Sequence, residues 1–327
     1  MKTSDFIFVS GAFLLLSFFL FLYRLLANRL NLVITIKRKN LNHKTIVGAG
    51  LLFPLTVLVI YLVFGSPTQI FILSLLFVSI IGFMDDVKPI PPILRFVVQI
   101  LVSYLVLFFH EEHFLSTIQL IILFFFMLSY INASNFMDGI NGMLGLQSLI
   151  SLLCFAFLNY SFTVFQPELI YGLLIACLIF LFGNLRRKPL FISGDVGSLS
   201  MGLIIGYFII IYFVETNNPM LFLLAVIYGL DTCITFISNL SIGVPVFKPH
   251  RNHLYEKQVF GLNVPDVKVS VVYGLIQCIV VLVVTLCCIS DIGSWGLLMT
   301  STLILFVIYA IFRAYTLKYE FRKTRTD

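Results

Sequence analysis

Apolar residues run along this chain in blocks of about twenty, and the polar residues are confined to short breaks between the blocks. A hydrocarbon layer about 30 Å thick takes about 20 apolar residues per helix, and only a helix can satisfy its own backbone polar groups across it in a single pass. The pattern therefore predicts eleven helices, at 6–26, 47–64, 69–84, 93–110, 115–133, 139–160, 168–183, 199–214, 220–240, 269–289 and 295–317. The runs at 69–84 and 168–183 are short for a full crossing. No fixed-period repeat, Pro-rich linker or low-complexity tract interrupts the series, so residues 1–327 read as one membrane domain. The first run has no small-residue cleavage site behind it and ends in Arg24, which predicts a retained helix and not a cleaved signal peptide.

Composition agrees with the pattern. Hydrophobic residues make up 60% of the chain and charged residues 11%, with a mean hydropathy of +1.06. Those values exclude an ordinary soluble domain and give an all-α, polytopic integral membrane protein. The six cysteines (Cys154, Cys177, Cys233, Cys278, Cys287, Cys288) lie inside apolar runs without metal-type spacing and read as small core residues.

Charge orients the helices. With the N-terminus outside and the C-terminus cytoplasmic, the inner segments are 24–46, 84–95, 133–139, 184–198, 241–268 and the tail from Arg313. Every Lys and Arg except Lys2 falls in them. The outer loops hold none, and carry Glu111, Glu112, Glu168, Glu215 and Asp291 instead. The net charge of +6 is thus mainly a topology signal. Contact with anionic headgroups, worth about 1 kcal/mol per basic residue near the surface, accounts for it without a nucleic acid partner.

The inner breaks also hold every unusual polar cluster. The first is GFMDDVKPIPP (82–92), where adjacent Asp85 and Asp86 need a cation, a proton or water to offset their repulsion. The second is SYINASNFMDGINGM (129–143), with Asn132, Asn135 and Asp138 at i, i+3, i+6 on adjoining helix faces. In GNLRRKPLFISGDVGSLSMG (183–202), which also contains Asn184, the glycines Gly194, Gly197 and Gly202 flank Asp195 and Ser198 and let backbone approach a phosphate or ion. The fourth, VPVFKPHRNHLYEK (244–257), supplies Lys248, His250, Arg251 and His253 as donors for a phosphorylated anion. Taken singly, each has an ordinary explanation as a solvated turn, interhelical glue or a topology signal. Gathered on one face, they form the donor set of a Mg²⁺ and polyphosphate site. An ion-coupled secondary transporter using Asp138 and Asp231 is the alternative, but transport requires access from both faces.

The four clusters, in this order and spacing, resemble the polyprenyl-phosphate N-acetylhexosamine-1-phosphate transferases (glycosyltransferase family 4). This family includes phospho-MurNAc-pentapeptide translocase and the enzymes that initiate teichoic acid and O-antigen synthesis. The resemblance rests on Asp85-Asp86 followed by Arg95 and Gln99, on Asn132, Asn135, Asp138 and Gly139, on Gly194 to Ser198, and on His250, Arg251 and His253 with Asp231 in the helix before them. It implies transfer of a sugar-1-phosphate from a UDP-sugar to undecaprenyl phosphate, with release of UMP and the start of a lipid-linked surface glycan. The implied cofactor is Mg²⁺, with Mn²⁺ as the substitute. The implied setting is the bacterial plasma membrane, with the site facing the cytoplasm, membrane lipids as neighbours and a homodimer allowed. By resemblance, Asp195 and Asp86 ligate the metal, and Asp85, Asp86 and Asp195 serve catalysis. Substrate contacts fall to Asn132, Asn135, Asp138, Asn184, Lys248, His250, Arg251, His253 and His43. Three features depart from the family pattern. Asn141 stands where many relatives carry Asp, the His loop ends in Leu254-Tyr255, and the loop after the first helix lacks the usual prolines.

The charge map makes a direct prediction. A reporter fused after Asp327 will behave as cytoplasmic and one fused at Asn217 as external; swapped signals would turn the polar clusters away from the cytosol.

Overall fold

The structure, a computed structural model, describes residues 3–27, 29–30, 32–38, 41–108, 115–241, 243 and 251–326. Lys248 and His250, together with His110, Glu111, Glu112 and His113, lie outside the described residues. Among the described residues, eleven apolar helices follow one another: α1 (Thr3–Ala27), α2 (Leu52–Phe64), α3 (Gln69–Val87), α4 (Pro92–Phe108), α5 (Thr117–Met137), α6 (Met143–Phe162), α7 (Pro167–Asn184), α8 (Gly194–Thr216), α9 (Val226–Ser241), α10 (Asp266–Ile289) and α11 (Trp295–Thr326). Nine helical spans among these residues are long and apolar enough to cross a membrane, while Ala49–Phe64 and Pro92–Phe108 are shorter apolar helices. The all-α, polytopic architecture expected from the hydropathy pattern is the one observed. The expected short runs are longer than predicted: α3 continues through Asp85 and Asp86, because partners for both carboxylates lie at its end.

The helices are arranged around α8, whose apolar window is entirely buried, whereas no residue in that of α11 is fully buried. An exposed apolar helix in such a bundle faces lipid, which is as apolar as a leucine side chain. Lipid also explains why one expectation fails. Cys154, Cys177 and Cys288 are core residues, but Cys233 and Cys278 are exposed and Cys287 half-buried. In a membrane the outside of a helix is as apolar as its inside, so apolar sequence context does not predict burial.

Close helix approach to α8 depends on glycine. A Cβ added to Gly50 would lie 2.3 Å from the Cα of Gly197, one on Gly82 would lie 2.7 Å from the Cα of Val196, and one on Gly202 would lie 2.9 Å from the Cα of Ile131. The glycines of the third cluster thus belong to the first turns of a helix, and Gly197 and Gly202 among them serve close backbone contact between segments.

One element had no counterpart in the expected helices. Between α1 and α2 a hairpin forms from β1 (Val33–Arg38) and β2 (Leu41–Ile46), with Val33 opposite Ile46. Ile46 forms a parallel bridge with Phe191, its amide donating to Leu190 O at 3.3 Å and its carbonyl accepting from Ile192 N at 2.8 Å. The hairpin is pinned in this way to the segment leading into α8.

Packing this close sets a stability prediction. Gly50→Ala will cost roughly 1–3 kcal/mol by overpacking, read as a lower unfolding temperature in detergent. Gly11→Ala, where a Cβ meets nothing within 4 Å, will leave that temperature unchanged; equal temperatures for both variants would mean that α8 and its neighbour part freely.

Candidate active site

The ends of α3, α5 and α7 and the start of α8 meet in a cavity of about 440 Å³. Its wall contains Asp86, Asn135, Asp138, Asn184, Asp195 and Arg251. These come from four different breaks in the apolar pattern, and helix packing brings them together.

The two adjacent aspartates are held in different ways. Asp85 accepts from Ile90 N at 2.7 Å and from Arg95 Nη1 at 2.8 Å, so it braces the turn between α3 and α4 and does not line the cavity. Asp86 accepts from Asp195 N at 2.8 Å and from Val196 N at 3.1 Å. Those amides belong to the first turn of α8, where free N–H groups and the helix dipole favour a negative charge. Gly194, with φ of 71°, permits this approach: a Cβ there would lie 2.3 Å from Asp86 Oδ2.

Asp195 is shared. Its Oδ2 pairs with Arg95 Nη1, and its Oδ1 accepts from Asn135 Nδ2 at 3.0 Å, while the same amide also reaches Ser198 Oγ at 2.9 Å. Arg95 therefore spans Asp85 and Asp195 and keeps two carboxylates at close quarters. Asp138 stands at the C-cap of α5 and accepts from Ser193 Oγ. Burial pushes its pKa well above the usual carboxylate range; the bond from Ser193 opposes that shift, and the nearby Asp195 and Asp86 add to it. Ser193 is a site residue that the sequence reading missed, although it directly precedes Gly194-Asp195.

Several expected contacts lie elsewhere. Asn132 donates to Leu128 O at 2.8 Å, one turn back on its own helix. His43 meets Pro189 O at 2.9 Å and pins the hairpin. Asn184 lines the wall, but its Oδ1 accepts from Gly142 N at 2.6 Å and its Nδ2 donates to Phe191 O at 3.0 Å, so its amide staples two segments together. Asn141, the departure from the family pattern, also lines the wall and donates to Arg186 O at 3.0 Å. Of the basic loop, Arg251 reaches the cavity, its guanidinium 4.6 Å over the Phe260 ring. His253 is buried beneath it, its Nδ1 3.0 Å from Asp231 Oδ1.

The wall also meets what a small divalent ion requires. Among the described residues, no group of three His, Cys, Asp or Glu side chains forms a metal cage. Mg²⁺ does not need one: it keeps several waters and takes one or two carboxylates together with substrate phosphates. Hard oxygen donors facing a polar cavity, with Arg251 opposite, fit an ion shared with a diphosphate.

The chain is similar over much of this region to known transferases. Residues 68–213, from the start of α3 almost to the end of α8, match the family described as Glycosyl transferase family 4. A phospho-N-acetylmuramoyl-pentapeptide-transferase of Streptococcus suis is 26% identical over 241 residues, which cover 65% of this chain and 68% of that protein. One from Fervidobacterium nodosum is 27% identical over 198 residues, covering 55% of this chain and 62% of that protein. One from Streptococcus pyogenes serotype M49 is 30% identical over 123 residues, covering 33% and 36%. The matched region carries the carboxylates of the cavity, and over it this chain, a multi-pass membrane protein, is similar to glycosyl transferase family 4.

Proposed function

We propose that this protein transfers a sugar-1-phosphate, of the N-acetylhexosamine type, from a UDP-sugar to undecaprenyl or another polyprenyl phosphate, starting a lipid-linked cell-surface glycan. The observation that carries the reading is the cavity in which Asp86, Asp138 and Asp195 face Arg251 at the polar end of a bundle whose outer surface is apolar. A polyprenyl chain approaches from the bilayer and a nucleotide sugar from water. With the N-terminus outside, the cavity lies on the cytoplasmic side of a bacterial plasma membrane and serves both substrates.

In the reaction, an oxygen of the lipid phosphate attacks the β-phosphorus of the UDP-sugar. The new P–O bond forms as the bond from the β-phosphorus to the bridging oxygen breaks; UMP leaves with that oxygen, and polyprenyl-diphospho-sugar remains. A phosphate monoester is largely ionised near neutral pH, its second pKa being about 6, so the nucleophile is ready without an enzyme-bound intermediate. Catalysis then rests on positioning and on charge stabilisation. Mg²⁺, or Mn²⁺ in its place, would neutralise the charge that builds on the transferring phosphoryl oxygens. Asp195 and Asp86 are the carboxylates that would hold it. Arg251 grips the diphosphate, while Asn135 and Asp138 line the nucleotide side. Asp85 acts through Arg95, keeping Asp195 in place.

Purified protein given polyprenyl phosphate, a divalent ion and a panel of radiolabelled UDP-sugars will release UMP from at least one of them. Asp195→Asn will lower that rate by at least about a hundredfold, the scale set by removing a charge-stabilising group, without lowering the amount of folded protein in the membrane. Full activity of the variant, or of wild type in excess chelator, would remove Asp195 from the metal site. Without the lipid acceptor, wild type will release no stoichiometric burst of UMP; a burst that scales with enzyme and vanishes in Asp86→Asn would make Asp86 the nucleophile and exclude direct attack.

A further inference from the structure

The last helix, α11, is peripheral: no residue of its most apolar window is fully buried, and sequence alone reads it as a membrane anchor. Partway along it an arginine turns inward, one turn before the buried Thr316. Arg313 Nη1 donates to Thr235 Oγ1 and to Tyr309 OH, each at 3.1 Å, and its Nη2 donates to Asn252 O at 3.3 Å. Asn252 lies between Arg251, which lines the cavity, and the buried His253.

A second route leads to the same loop. Thr235 is fully buried on α9 and donates to Asp231 Oδ1 at 3.2 Å. Asp231, likewise without exposed surface, is 3.0 Å from His253 Nδ1 and accepts from Leu254 N at 3.2 Å and from Tyr273 OH at 3.1 Å. Two turns further along α11, Glu320 Oε2 lies 3.5 Å from Lys257 Nζ. On its other side the loop grips the cavity wall, because Tyr255 OH donates to Phe136 O at 2.8 Å and sits where a Cβ on Gly139 would be, 2.2 Å away. Phe136 and Gly139 flank the turn that carries Asp138.

We propose that Arg313 is a positioning residue: through Asn252 O and the Thr235–Asp231–His253 chain it sets where Arg251 enters the cavity. The guanidinium is suited to this because its planar fork serves three acceptors on different elements at once, which an ammonium on a flexible stem does not. A charge partway along a lipid-facing helix is also costly unless partnered or used, and here its partners are the loop and the helix that carries Asp231. The role in catalysis rests on the transferase reading above; the effect on the loop does not.

Two measurements test the two parts. Hydrogen exchange of the His253, Leu254 and Lys257 amides, all bonded in the structure, will be faster in Arg313→Gln than in wild type, and intermediate in Arg313→Lys, which keeps the charge and is the variant to use if the first does not accumulate. Unchanged exchange would overturn the proposal whatever the protein's activity. In the UMP-release assay, Arg313→Gln will raise KM for the UDP-sugar about tenfold, the scale of one hydrogen bond to a charged group, with a smaller change in kcat. Combined with Arg251→Gln it will add little further, because the two act in series. Fully additive losses, or a fall in kcat with unchanged KM, would show that Arg313 does not act through Arg251. Faster exchange with no UMP release from wild type would uphold the strut and refute the transferase reading alone.

Discussion

The carboxylate of Asp86 accepts two first-turn amides of α8, from Asp195 at 2.8 Å and Val196 at 3.1 Å, and this contact ties the end of α3 to the start of the central helix. Helix N-termini leave amides without intrahelical partners, and here a side chain from another helix takes two of them. The neighbouring glycines make the contact geometrically possible. Gly194 leaves room for the carboxylate and Gly82 for the backbone of Asp195 and Val196. A larger residue at either position would drive α3 and α8 apart and separate the acids that line the cavity.

Charge in the cavity is apportioned, not merely concentrated. Arg95 spans Asp85 and Asp195, the dipole and amides of α8 serve Asp86, and Ser193 serves Asp138. Each carboxylate is stabilised by donors from within the protein. What remains is a set of hard oxygen donors opposite Arg251, suited to a ligand that brings both negative phosphates and a small divalent cation.

Support for the site comes from more than one side. The strands β1 and β2 are tied to 189–192 and brace the entry to α8. The loop that follows α9 reaches across to Phe136 and Gly139 through Tyr255, and α11 holds that loop from its far side through Arg313. Helices that look alike in hydropathy therefore play different parts. The buried core is α8, while α11 combines a lipid-facing surface with a single inward-reaching base.

Much of this was legible in the sequence. Apolar windows of near-bilayer length yield eleven helices, because length and hydropathy are sufficient to identify a segment that must satisfy its own backbone in lipid. The acids of the cavity were also legible, since carboxylates are rare in so apolar a chain. The strands of the hairpin were not, although the β-branched run Val33-Ile34-Thr35-Ile36 was a signal for them; their order depends on bonds to residues about 145 positions later. Nor does the sequence separate Asp85 from Asp86, two identical side chains in succession, one of which turns to Arg95 and the other to the amides of α8. Hydropathy does not reveal which cysteines face lipid, or that Asn132 and His43 lie away from the cavity. Composition and periodicity determine which segments enter the membrane, because that is a property of each segment alone; which polar groups meet is decided only when the helices pack, because the partners come from segments far apart in the chain.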